Sequence, residues 1–383
     1  MTRSIWIAGA ASVAAAVGAG RVDASPVDRR GAIGAALRRS DTLAADAAEA
    51  GILFGTAAYL RDMSTKGSTY DPAYDAIVLR ECSLLFPGFG MGADATRKSS
   101  SGFDFSLVDP LLDIASTNDL AFAGGHLVWH QSIPPWVPST LTFRSDVLKE
   151  MLLEVTSTVS HFAGKIEYWT VVNEVIDIGR NPEGLRNSFW LQKLGPDYIA
   201  QAFMAAHDAD PRATLVLNEH LIEGDRPGQE PRRAAVLGLL RSLREKNVPV
   251  DALGLQAHLF GGMPVDQAVL DRFLNDVHDL GLKVLITELD VVDVALPADI
   301  GARDAAVAKT IQAFLEVVLR HPAVTSINTW GLSDNHSWYN STQTPAALRR
   351  SDGLSSRGTL LDASLHRKPA YYAVRSELRS AAH

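Results

Sequence analysis

The chain has 383 residues, 46% hydrophobic and 21% charged, the balance of a globular protein with an ample core and no disordered bulk. Its net charge of −8, with no basic stripe or Lys/Arg run, argues against nucleic acid or anionic membrane as the main partner. The single cysteine, Cys82, cannot form an internal disulfide, so thiol usage leaves the redox compartment open.

The first predicted element is a leader. Arg3 precedes an Ala/Gly/Val-rich stretch from Ile5 to Gly20, and Val22-Asp23-Ala24 stands ahead of Ser25 and Pro26. This is the pattern of a signal peptide cut after a small residue, here Ala24, and it predicts a secreted or periplasmic protein with no membrane attachment after processing. The many Ala and Gly residues argue against a retained spanning helix. Residues 25–50 follow as an N-terminal helical segment, Ala- and Arg-rich with helical spacing from Arg29 to Glu49, expected to pack against the base of the next domain.

From Gly51 apolar runs alternate with helical patterns. Strands are predicted at Gly51–Ala57, Ser83–Phe86, Leu120–Trp129 and Ile166–Val172, then at Thr214–Asn218, Ala252–His258, Lys283–Thr287 and Ser326–Trp330. Helices are predicted at Asp146–Phe162, Pro196–His207, Pro231–Lys246, Pro264–Leu280, Asp304–Arg320 and Pro369–Leu378. Pro196, Pro231 and Pro264 suit first helical turns, where a missing N–H costs nothing. Eight strands alternating with helices describe an α/β fold, a single (β/α)8 TIM barrel over residues 51–383. No internal repeat or linker marks a second domain, and a carbohydrate-binding module of about 100 residues has no room.

Two carboxylates stand at the ends of these apolar runs. Glu174 closes Tyr168-Trp169-Thr170-Val171-Val172-Asn173-Glu174, and Glu288 sits in Leu285-Ile286-Thr287-Glu288-Leu289-Asp290. A barrel places its chemistry at such ends, and glycosidic cleavage needs two carboxyl groups. A lone Glu after a strand is often a cap or ion pair. The adjacent Asn173 strengthens the catalytic reading, because its amide can bind a sugar hydroxyl while the acid reaches the leaving oxygen. His126 and His130, with Asp334 and His336, hint at a metal site. Their segment reads as strand, and no acid follows the first His, so neither metal nor cofactor is expected.

Further segments carry a resemblance. They are Leu127-Val128-Trp129-His130 with Pro134-Pro135-Trp136, Trp169 to Glu174, Gly184-Leu185-Arg186-Asn187-Ser188, and Gly254-Leu255-Gln256-Ala257-His258. Thr287-Glu288-Leu289-Asp290, Thr329-Trp330-Gly331-Leu332-Ser333-Asp334 and Lys368-Pro369-Ala370-Tyr371 complete the set. In order and spacing the chain resembles glycoside hydrolase family 10, the endo-1,4-beta-xylanase family, from about Gly51 to Val374. The resemblance implies a retaining hydrolase of β-1,4-xylan or a related β-glycoside, with Glu174 as acid/base and Glu288 as nucleophile. Asn173 then binds the hydroxyl next to the reacting carbon, and Gln256 and His258 surround the nucleophile, with His258 orienting Glu288 and keeping it ionised. Alternation along one strand puts Gln256 and His258 on one face. Trp129, Trp330 and Trp338 match cleft-lining aromatics, while Trp136 and Trp190 are undecided. The implied partner is a polysaccharide or oligosaccharide, bound by a monomer.

The departures from the family matter as much. After its second strand the family carries an acid, an amide, a Lys and a Trp on the non-reducing side, where this chain has Pro87-Gly88-Phe89-Gly90-Met91-Gly92-Ala93. Arg-Gly-His-Thr becomes Ala123-Gly124-Gly125-His126, so Gly125 replaces the histidine near the reacting sugar, and His126 is expected to face the other way. Thr170 replaces the Asp before Val-Val-Asn-Glu. Each lost sugar contact is worth about 1 kcal/mol, which predicts weak or altered activity on plain xylan. The alternative is a catalytically weakened carbohydrate-binding protein on the same fold.

Overall fold

The computed structural model describes residues 28–58, 71–179, 184–342 and 344–382; the leader, residues 1–24, lies outside the described residues. Among the described residues the strands are β1 (Leu53–Ala57), β2 (Leu84–Phe86), β3 (Ala121–Phe122), β4 (Gly124–Trp129) and β5 (Tyr168–Asn173). They continue with β6 (Thr214–Glu219), β7 (Ala252–Leu255), β8 (His258–Phe260), β9 (Lys283–Val292) and β10 (Val324–Thr329). Every pairing is parallel, in the order β3-β2-β1-β10-β9-β7-β6-β5-β4, and β8 pairs with β9. The ring closes where β3 and β4 follow one another across Ala123, whose N–H donates to Leu85 O at 2.9 Å. The eight predicted strand positions are all present, and two of them are interrupted, one at Ala123 and one at Gln256-Ala257.

Period-two alternation divides the core in two. Inside the ring lie Leu53, Leu84, Phe86, Ala121, Ala123, Tyr168, Val216, Ala252, Leu285 and Trp330, with Ala32 among them. The complementary residues, such as Phe54, Leu85, Phe122, Trp169, Leu217, Leu253 and Ile286, join the larger core against the helices. The helix Gln267–Asp279 shows how one such helix docks. Asp266 caps it by accepting from Val269 N at 3.0 Å, and Leu270, Phe273, Leu274 and Val277 form its buried stripe. Each of those side chains stabilises the fold by about 1.5–3 kcal/mol through burial. Gly281, at φ 74°, turns the chain toward β9.

The N-terminal helical segment is two helices, Arg29–Leu37 and Leu43–Glu49, rather than one. Thr42 starts the second by accepting from Ala45 N at 3.1 Å, and Asp41 adopts φ 58° at the break. From the first helix Arg29 donates to Gly51 O at 2.8 Å and to Thr325 O at 2.6 Å, close to where β1 and β10 begin. Of the three prolines, Pro231 lies in a first turn, whereas Pro196 and Pro264 precede the helices that start at Tyr198 and Gln267. No described helix is long and apolar enough to cross a membrane.

Candidate active site

Glu174 follows β5 directly. Its backbone takes φ 56°, a left-handed geometry costing a non-glycine residue about 1 kcal/mol, and its N–H donates to Asn218 O at 2.9 Å. Arg186 Nε supports the turn by donating to Glu174 O at 2.7 Å. Gln256 Nε2 donates to Glu174 Oε1 at 3.1 Å and to Asn173 Oδ1 at 3.2 Å, and His130 Nδ1 lies 3.9 Å from Glu174 Oε2. Burial pushes the Glu174 carboxyl up, but His220, the Gln256 amide and His130 pull it down, leaving it below the usual range. Burial drives His220 itself down to about 4. At neutral pH that ring is uncharged, so the Gln256 bond is a standing contribution to the low value.

Glu288 lies within β9, which runs five residues beyond the predicted end at Thr287 because β8 gives it a further partner, with His258 opposite Asp290. Glu288 Oε1 accepts from Asn218 Nδ2 at 2.9 Å, and Oε2 lies 3.2 Å from His258 Nε2. His258 Nδ1 lies 2.7 Å from Asp290 Oδ1, and Asp290 also accepts from Tyr339 OH at 2.8 Å and Trp338 Nε1 at 3.1 Å. Burial disfavours a charged His258, yet Asp290 and Glu288 together raise it well above its ordinary value. One ring nitrogen of His258 faces Asp290 and the other faces Glu288, so the imidazole is held between the two carboxylates.

Asn218, a fully buried residue of β6, bonds the Glu288 carboxylate through its side chain and the Glu174 N–H through its backbone carbonyl. Its Nδ2 also donates to Asn173 Oδ1 at 2.9 Å, and its Oδ1 accepts from Thr287 Oγ1 at 2.7 Å, which fixes which way the amide faces. A Cβ at Gly254 on β7 would collide with that amide, so a glycine is what this close approach allows.

The sequence-predicted residues converge, with corrections. Gln256 and His258 do not share one strand face: Ala257, at φ 58°, breaks the strand between them, and each serves a different carboxylate. His126 does not face away. Between Gly125 and Val128, β4 uses three steps where β5 uses two, from Thr170 to Val172, and this bulge reverses the expected alternation. His126 is 4% exposed, with Nε2 3.7 Å from Glu288 Oε1. Thr170 is buried and donates to Gly124 O at 3.2 Å.

Trp129 and Trp330 flank this side. His126 and Trp129 have ring centroids 5.6 Å apart, His258 and Trp330 6.5 Å, and Phe86 is 5.7 Å from both His126 and Trp330. Trp338 touches the site through Asp290. Trp190 is core, donating to Trp129 O at 3.4 Å, and Trp136 donates to Arg97 O at 2.9 Å. The four residues that hinted at a metal are scattered: His126 lies by Glu288, His130 by Glu174, Asp334 accepts from Lys368 at 2.7 Å, and His336 stacks on Tyr74. Among the described residues no group of three or more His, Cys, Asp or Glu could hold a metal ion. Asn218, His220 and Tyr339 are the residues that sequence reasoning missed.

Comparison with known proteins agrees with this geometry. Residues 42–377 match the sequence model of glycosyl hydrolase family 10. Endo-1,4-beta-xylanase B of Thermotoga neapolitana is 30% identical over 306 residues, 79% of this chain and 82% of that protein. Endo-1,4-beta-xylanase 5 of Pyricularia oryzae is 32% identical over 345 residues, 88% of this chain and 78% of that protein. Xylanase 10B from Thermotoga petrophila RKU-1, solved in complex with xylobiose, superposes with a TM-score of 0.79 at 27% identity, covering 90% of this chain and 99% of that one.

Proposed function

The chain belongs to glycosyl hydrolase family 10 and is an endo-1,4-beta-xylanase-like hydrolase of O-glycosyl bonds, and on that premise we propose a retaining reaction on β-1,4-xylan or a close relative. Glu288 attacks the anomeric carbon while Glu174 protonates the leaving oxygen; the resulting glycosyl ester on Glu288 is then hydrolysed by a water that Glu174, now a base, deprotonates. The observation that carries this reading is the unequal setting of the two carboxylates. Glu288 is gripped at both oxygens, by Asn218 Nδ2 at 2.9 Å and by the His258 ring at 3.2 Å, which suits a nucleophile that must hold its aim, whereas Glu174 has the Gln256 amide at 3.1 Å on one oxygen and His130 only at 3.9 Å from the other.

Asn173, whose oxygen is already held by Asn218 and Gln256, keeps its amide hydrogens for the sugar hydroxyl beside the reacting carbon. Trp129, half-buried, offers a ring face to the sugar, while the buried Trp330 packs against Phe86 and His258. The full constellation favours turnover over mere binding.

Hydrolysis of aryl β-xyloside, xylobioside, glucoside and cellobioside beside xylan tests this. Glu288→Ala should lose roughly four orders of magnitude in rate, about 5.5 kcal/mol of barrier, on every substrate. Glu174→Ala should retain turnover of aryl glycosides whose leaving group needs no protonation. Equal activity of Glu288→Ala and wild type would end the proposal. Export and a monomeric state belong to the same reading. A mature N-terminus other than Ser25, or a larger species in sedimentation, would count against each respectively.

A further inference from the structure

In a retaining reaction the sugar that becomes bonded to Glu288 must rest against whatever surrounds that carboxylate, and here the surround divides sharply. Asn218 and His258 bind Glu288 itself. Beyond them, toward β2, β4 and β10, stand the rings of His126, Phe86, Trp129 and Trp330, and over these lies Phe89.

Phe89 is the informative residue. Its ring is stacked near Trp129 at 6.1 Å and 8°, and meets Trp330 edge-on at 5.4 Å and 67°, so one side chain spans the gap between the two indoles while remaining 45% exposed. The segment that carries it is anchored. Gly88–Met91 forms a 3-10 turn, Met91 is 1% exposed, and Met91 Sδ accepts from Gly125 N at 3.2 Å. From Pro87 to Gly92 no side chain offers an N–H or O–H donor or an oxygen acceptor. The part of this wall open to a sugar is the ring of Phe89, with Met91 buried as its anchor.

We propose that Phe89 makes the glycone side of this cleft selective for sugars whose ring hydroxyls are masked by small apolar esters, so that O-acetylated β-1,4-xylo-oligosaccharides are better substrates than bare ones. The inference rests on the retaining reading above. Its physical basis is an asymmetry of cost. A wall of polar groups loses hydrogen bonds when a hydroxyl becomes an ester, and its own groups are left unpaired. A wall of rings loses nothing and gains contact with the ester methyl. The hydroxyl next to the reacting carbon is the exception, because Asn173 faces it, and that one must be free.

The test compares kcat/KM for xylotetraose and for the same oligosaccharide carrying acetyl esters, with an aryl β-xylobioside as the gauge of turnover. Wild type should prefer the acetylated chain by about ten-fold, what one well-buried methyl is worth. Phe89→Asn should bring that ratio to one or below, and Phe89→Leu, which keeps an apolar wall, should preserve most of it. A wild-type ratio at or below one, or a ratio that Phe89→Asn leaves unchanged, overturns the inference while turnover of the aryl xylobioside leaves the family reaction standing. Silence on all three substrates overturns both.

Discussion

The mouth of the barrel has two unlike halves. Over β5 to β9 it is a lattice of short hydrogen bonds, in which Asn173, Glu174, Asn218, Gln256, His258, Glu288 and Asp290 each hold a neighbour within 3.2 Å. Over β10 and β1 to β4 it is a nest of rings, Phe86, Phe89, Trp129 and Trp330, with centroids 5.4 to 6.1 Å apart. Directional bonds fix atoms, and that is what transition-state stabilisation requires. Ring faces tolerate displacement and substituents. On the reaction proposed above, the first half carries the chemistry, and on the inference drawn from Phe89 the second selects the sugar.

That division can be broken at its junction. Asn218→Ser removes the amide shared by Glu288 and Asn173, and kcat should fall by about 10²–10³-fold, the cost of deleting one preorganised donor. KM for xylan should change little, because the ring half is untouched. A variant whose whole loss lies in KM would show that the lattice binds rather than catalyses.

A second probe lies beneath the same half. Glu219, buried at the end of β6, accepts from Ile176 N at 2.8 Å, and burial pushes its pKa up to about 8. The folded value thus exceeds the unfolded one, about 4.3. Its contribution to stability is full below the unfolded pKa and is lost as pH rises through about 8. Glu219→Gln cannot ionise, so its unfolding free energy relative to wild type should grow between pH 5 and 8, by roughly 2–4 kcal/mol. A pH-independent difference in urea unfolding would refute this.

The smallest expected effect sharpens the comparison most. Gln256 stabilises ionised Glu174, and the acid form is the one that protonates the leaving group, so kcat/KM on xylan should fall as pH rises through the Glu174 value. Gln256→Ala should move that alkaline limb upward, by about one unit. An unmoved limb would mean that Gln256 holds Asn173 and not the acid.

Much of this was legible in the sequence, for identifiable reasons. The eight strand positions declared themselves as apolar runs, and Glu174, Glu288 and their motif neighbours are contiguous in sequence. What escaped depends on pairing across distance. Asn218 and Thr287 look like ordinary strand residues until register brings β6, β5 and β9 together. His126 was placed on the wrong face because a one-residue bulge cannot be read from alternation, although Gly124-Gly125 marks where one could form. The break at Ala257 left no glycine to announce it.

The closure of the ring has a temporal side. β1 pairs with β10, Leu53 against Ser326 and Thr56 against Thr329, and Arg29 fastens the base to Thr325. A ribosome adding roughly 5–20 residues per second delivers β10 some tens of seconds after β1. Until then β1 has one edge without its partner and the base has no far rim to grip. The last strand to be made is the one that lets the first be finished, so the ring cannot close until nearly the whole chain has been synthesised.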